Sequence, residues 1–118
     1  SRVDVENVHT EFVSVNTERP CNIDNVKKVM SEFIGEPQKL KLPYSPKQPI
    51  VVLEEIDMPQ PKLFEERFDG MTTVIGKLEE DEIFDFKYVL NTNNLSRGSA
   101  KGSINTAEYF IAKNLVRI

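Results

Sequence analysis

Residues Arg2 to Val15 place valines at 3, 5, 13 and 15, a spacing that predicts extended backbone. Glu6-Asn7 breaks the pattern and is a place for the chain to bend. After Pro20 the period changes. Asn22 or Asp24 can cap a helix whose apolar face is Ile23, Val26, Met30, Phe33 and Ile34. Gly35 suits the left-handed position that ends such a helix, and Pro37 prevents its return. Pro37, Pro43, Pro46 and Pro49 then predict an ordered, non-helical connector from Glu36 to Pro49.

Ile50 to Leu53 is a continuous apolar run, the pattern of a buried strand. Asp57 to Gly70 reads as a loop with a stiff Met58-Pro59-Gln60-Pro61 start, anchored by Phe64 and Phe68. Met71 to Leu78 predicts a strand, Glu79 to Glu82 an acidic turn, and Ile83 to Leu90 a strand with Phe84, Phe86, Tyr88 and Leu90 on one face. Asn91 to Arg97 is a polar loop. The last helix is expected from about Gly98 to Val116, with Ala100, Ile104, Ala107, Ile111 and Leu115 inward. Strand, helix, three strands, helix predicts an α+β fold: a mixed or antiparallel sheet with helices packed on one face, as one domain over 1–118.

Charge and composition narrow the functions open to such a fold. A net charge of -4 disfavours nucleic acid, because phosphate binding needs a clustered basic face. No apolar run is long enough to cross a bilayer. One cysteine, Cys21, cannot form an internal disulfide and fits a reducing cytoplasm. One Cys and one His cannot build a zinc site. The chain opens at Ser1 and starts as if inside a strand, which predicts a fragment or a removed leader.

His9 is the single histidine and can move a proton near neutral pH. On composition alone it reads as a histidine packed beside Val8 and Phe12. Arg2 can clamp a carboxylate through two parallel hydrogen bonds. A straight strand would hold Arg2 and His9 roughly 23 Å apart on opposite faces, so a shared site needs the bend at Glu6-Asn7. Asn93 to Gly102 is a loop feeding a helix, where small residues let free N–H groups approach an anion. No dinucleotide fingerprint or P-loop is present.

Taken in register, these segments resemble one family. Arg2-Val3-Asp4-Val5-Glu6-Asn7-Val8-His9-Thr10-Glu11 is similar to the Arg-Val-Pro-Val…Gly-His-Thr-Glu stretch of aspartate-semialdehyde dehydrogenases. Gly35 to Pro43, Ser45-Pro46 and Pro49 to Val52 resemble the archaeal branch, which also holds malonyl-CoA reductases. Asp57 to Lys62 resembles that branch's Arg-Pro-Gln-Pro-Arg loop, and Gly70 to Leu78 its Gly-Met-x-Val-x-Val-Gly-Arg strand. Asn94-Leu95-Ser96-Arg97-Gly98-Ser99-Ala100 looks like its cofactor-side helix start.

The resemblance implies part of a C-terminal catalytic and dimerisation domain, like that of glyceraldehyde-3-phosphate dehydrogenase. It implies an NADP-dependent, phosphorylating oxidation of a small aldehyde in amino-acid biosynthesis. Arg2 would grip the substrate carboxylate and His9 would act as acid and base. Asn94, Arg97, Gly98, Ser99 and Ala100 would lie beside NADP. The family's nucleophilic cysteine and its nucleotide-binding domain lie upstream of the matched segment, so the chain alone is expected to be inactive. A homo-oligomer, dimer or tetramer, is expected, with neither nucleic acid nor membrane as partner. A malonyl-CoA reductase fragment and a stand-alone, non-catalytic dimerisation or regulatory module are the alternatives. Three positions depart from the family: Val8 for glycine, Asn93 for a frequent histidine, and Lys101 for a small residue.

Overall fold

The computed structural model describes residues 1, 4–65 and 67–116. Its elements are β1 (Val8–Val15), α1 (Ile23–Ser31), α2 (Glu36–Lys39), β2 (Ile50–Val52), α3 (Pro61–Phe64), β3 (Thr73–Glu80), β4 (Phe86–Asn93) and α4 (Ala100–Ala112), with a 3-10 turn at Arg67–Gly70 before β3. The strands form one sheet in the order β1-β4-β3-β2. β1 and β3 run antiparallel to β4, and β2 runs parallel to β3. The mixed sheet and the α+β class agree with the sequence pattern.

Strand alternation divides the sheet into two faces. Register puts His9, Glu11, Val13 and Val15 on the face of Phe86, Tyr88, Leu90 and Ile75. α1 covers the Val15 end of this face. Its Ile23, Val26 and Met30 pack with Ile75, Leu78, Phe86, Ile50 and Val52. Asn22 caps α1 by accepting from the Asp24 and Asn25 amides at 2.8 and 3.4 Å. The other face carries Val8, Thr10, Phe12, Asn91 and Asn93, and the loop through α3 lies against it. Phe64 in α3 is buried, as expected of an anchor, whereas Phe68 is 45% exposed.

Several local expectations are corrected. The first long helix ends at Ser31, so Phe33 and Ile34 lie past it and are exposed. Gly35 does not end that helix; it is extended, with φ -83°, and starts α2. Its amide donates to Gln38 Oε1 at 3.0 Å, and Pro37 sits in the first turn, where its missing N–H costs nothing. The connector therefore holds one helical turn. The segment Asp57 to Gly70 also contains helical turns.

β3 runs from Thr73 to Glu80 and takes in part of the expected acidic turn. β4 starts at Phe86, not Ile83. Asp81 Oδ1 accepts the amides of Ile83 and Phe84, and this turn competes with the ladder there. β4 also continues through Asn91 to Asn93, which were expected in a loop.

α4 is shorter than expected and buries none of its residues. Ile104, Ile111 and Leu115, expected inward, are exposed. The apolar stripe is real, but α4 is joined to the rest mainly by polar links. Lys113 Nζ lies 2.7 Å from Glu36, the Tyr109 hydroxyl donates to Glu36 at 2.9 Å, and Glu108 accepts from the Tyr44 amide at 3.1 Å. The Lys113 and Tyr109 hydrogen bonds hold the Glu36 carboxyl below its ordinary range. No helix among the described residues is long and apolar enough to cross a membrane.

Candidate functional site

β1 carries His9 at the end of the sheet that α1 leaves open. The side chain is exposed, and its Nε2 lies 2.9 Å from Glu11 Oε1. Glu11 shares its face because the two are one alternation apart. Val8 and Phe12 point to the opposite face, so His9 is not a packed core histidine. Val8 is buried on that other face, where the valine fills space that glycine would leave.

The cofactor-side loop leaves the sheet at the same end. His9 pairs with Thr92 of β4, and the Asn94 amide donates to the Asn7 carbonyl at 2.7 Å. Adjacent strands and a two-residue step put Asn94 roughly 8 Å from His9 along the backbone. The loop that opens at Asn94 therefore starts at the His9 end of the sheet. Arg2, the expected carboxylate clamp, lies outside the described residues.

Arg97, Gly98 and Ser99 line an open polar cavity of about 340 Å³ with Gly102, Ser103 and Thr106. No acidic side chain lines it among the described residues, so the donor set fits an anionic group. The Arg97 Nη1 donates to the Met71 carbonyl at 3.0 Å, so this guanidinium also has a structural duty. Ala100 opens α4 beside the cavity, and Asn94 is exposed at the start of the loop. Lys101, the unusual residue, does not stand free there; its Nζ bonds the Asp69 carbonyl at 3.0 Å and the Asp69 carboxylate.

Cys21 is exposed and follows β1 at the far end from His9. The chain there is pinned by Thr17, whose amide donates to Asp85 Oδ2 at 2.6 Å. Six residue steps along the strand, roughly 20 Å, separate Val15 from His9. Cys21 is therefore no thiol partner for His9. No group of three or more metal-ligating side chains occurs among the described residues.

Two groups at this end were not singled out from sequence. Asn93, read from sequence as the start of the loop and as a departure from the family, knots the junction. Its Nδ2 donates to the Glu65 carbonyl at 2.7 Å, and its Oδ1 accepts the Leu95 and Ser96 amides at 3.0 and 2.7 Å. Glu65 Oε1 accepts the Asn7 amide at 2.8 Å and so ties the lead-in of β1 to the same knot. An asparagine before a polar loop is a signal for this kind of side-chain turn. Thr10 and Asn91 form a buried pair at 2.9 Å, which no local signal reveals, because the partners are 81 positions apart.

Over residues 1–97 the chain matches the family described as semialdehyde dehydrogenase, dimerisation domain. It is 40% identical to an aspartate-semialdehyde dehydrogenase of Methanothermobacter thermautotrophicus, over 91% of this chain and 31% of that protein. It is 33% identical to a malonyl CoA reductase (NADP) of Metallosphaera sedula, over 92% of this chain and 31% of that protein. The crystal structure of an aspartate semialdehyde dehydrogenase with NADP from Candida albicans superposes with a TM-score of 0.86 at 34% identity. That match covers 98% of this chain and 33% of the solved one. The chain therefore spans about a third of the length of the relatives it matches. With the four-stranded mixed sheet and the His9 end in place, the matches show that the chain belongs to the semialdehyde dehydrogenase dimerisation-domain family.

Proposed function

We propose that this chain is the C-terminal part of the catalytic and dimerisation domain of an NADP-dependent aspartate-semialdehyde dehydrogenase. The observation that carries this reading is the match to the Candida albicans enzyme along nearly the whole chain. The reaction is the reversible, phosphate-dependent oxidation of an aldehyde to an acyl phosphate. NADP, when bound, would supply the hydride acceptor. Within this chain, Arg2 grips the substrate carboxylate, and His9 moves the proton at the reacting oxygen or thiol. Asn94, Arg97, Gly98, Ser99 and Ala100 form the wall beside NADP. Glu11, in contact with the His9 ring, orients it. The nucleophilic cysteine and most of the nucleotide site come from the rest of a longer protein, since Cys21 lies far from His9. The isolated chain is inactive in this reading.

The test is NADP reduction by the longer protein with aspartate semialdehyde and phosphate. His9→Asn is expected to lower kcat by about 10²- to 10⁴-fold. Because His9 is exposed, its stability should stay within about 0.5 kcal/mol of the parent. Full activity in His9→Asn overturns its role, and turnover by the 118-residue chain alone overturns the claim of inactivity. The Metallosphaera sedula relative supports a second reading, malonyl-CoA reduction, which the same assay separates by substrate. A homo-oligomer is expected. Phe12, 73% exposed in the middle of the sheet face opposite His9, supports it, and light scattering measures it.

A further inference from the structure

Before β3 the backbone does something that side chains normally forbid. Phe68 (φ 54°), Asp69 (φ 56°) and Gly70 (φ 66°) are left-handed in succession. Glycine adopts this conformation freely, but a Cβ is crowded there, and an aromatic residue is a poor occupant. Such strain persists only where the surroundings over-determine it, and it collects at switch regions.

Among the described residues one segment, Asn93 to Lys101, supplies the polar side-chain grip on this turn. Lys101 Nζ bonds the Asp69 carbonyl at 3.0 Å and also its carboxylate. Arg97 Nη1 bonds the Met71 carbonyl at 3.0 Å. Gly70 lies so close to Ser96 that a Cβ on it would fall 2.7 Å from the Ser96 side chain. The turn's own bond, from the Met71 amide to the Phe68 carbonyl, is long at 3.2 Å. Two cations thus grip the turn from outside, while little within it favours its shape.

Two cavities also meet at Met71, the residue that follows the turn. One is the polar cavity of Arg97, Ser99 and Ser103, whose wall includes Met71. The other is an open cavity of about 460 Å³ between the proline-rich connector and the turn, lined by Tyr44, Phe68, Asp69 and, again, Met71. We propose that Phe68–Asp69–Gly70 is a sprung latch held by Arg97 and Lys101. Withdrawing either cation lets the turn relax and reshapes the Tyr44–Phe68 cavity. An anion that recruits Arg97 in the first cavity therefore alters the second. The latch is a property of the chain's own residues and stands whether or not a nucleotide meets Arg97.

Strain and grip are tested separately on the full chain. Phe68→Gly and Phe68→Ala both remove the ring and differ only in the Cβ. At a left-handed position glycine is favoured, so the unfolding equilibrium constant of Phe68→Gly should be about tenfold smaller than that of Phe68→Ala. At an ordinary position the order reverses. Grip is read by amide hydrogen exchange at Met71. Arg97→Met and Lys101→Met should each speed it about tenfold while Ile75 and Leu90 in the sheet stay protected. Lys101→Arg should restore protection. Raising salt to about 0.5 M, which screens the Lys101–Asp69 pair, should speed Met71 exchange in the unaltered chain. Phe68→Ala more stable than Phe68→Gly overturns the strain, and unchanged Met71 exchange in both cation variants and in salt overturns the grip.

Discussion

Gly76 shows how one missing methyl group holds the candidate site together. It lies in β3 opposite Val89, on the face where the Met58–Phe64 loop runs. A Cβ there would fall 2.5 Å from the Met58 carbonyl oxygen and 2.7 Å from Pro59 Cδ. Both obstacles are stiff: one is backbone and the other a proline ring. In Gly76→Ala the loop must lift from the sheet. Overpacking of this kind costs about 1–3 kcal/mol. Alanine also loses less entropy on folding than glycine, a gain of about 0.5–1 kcal/mol. Contacts this short against stiff atoms put the overpacking cost in the upper part of its range, about 2–3 kcal/mol, leaving a net loss of about 1–2 kcal/mol. For a chain of this size each kcal/mol moves Tm by about 4 °C, so the melt should fall by about 4–8 °C.

Circular dichroism melts measure the loss directly. The damage should reach the His9 end, because the same loop delivers buried Phe64 and the Glu65 groups that hold Asn7 and Asn93. Amide exchange at Asn7, Leu95 and Ser96 should therefore quicken in the variant. A Gly76→Ala protein that melts at or above the parent temperature refutes the reasoning, since the loop could then not be seated on β3.

Two further outcomes are expected. Thr10→Val keeps the shape of a buried residue but strips the Asn91 Oδ1 of its donor, and Asn91 Nδ2 already has no partner among the described residues. That variant should lose about 1–3 kcal/mol in urea titrations, while Thr10→Val with Asn91→Leu should recover much of it; a double variant no better than the single one refutes the pairing. On acidification, Asp81 and Asp85 matter, because backbone N–H donors, from Ile83 and from Thr17 respectively, hold their carboxyls below the ordinary 3.8. A carboxyl depressed in the folded state contributes stability above the unfolded value and loses it as pH falls through the folded one. The urea midpoint should thus drop below about pH 4, and Asp85→Asn should flatten that slope; an unaltered slope counts against the Thr17–Asp85 tie.

Short-range signals were legible where the local pattern and the core agreed. The Asn22 cap starts the helix whose Ile23–Val26–Met30 face meets the Phe86–Tyr88–Leu90 alternation in one cluster. Reading failed where a side chain redirected the backbone. Gln38 turned Gly35 into a helix start, and Asp81 delayed β4 past Ile83. It failed again at α4, whose apolar stripe meets no buried surface among the described residues.

The sequence by itself determined the α+β class, the family resemblance and His9 as the single histidine, because these rest on residue identity and local periodicity. It could not decide what His9 faces. Register did, by placing Val8 and Phe12 behind the sheet and Asn94 beside the His9 end. Nor could it reveal the Asn7–Glu65–Asn93 knot, the Thr10–Asn91 pair or the Lys101 grip on Asp69. Those contacts join positions 28 to 81 residues apart. Hydrogen bonds between distant residues leave no periodicity in the chain, so only the packed sheet and its loops specify them.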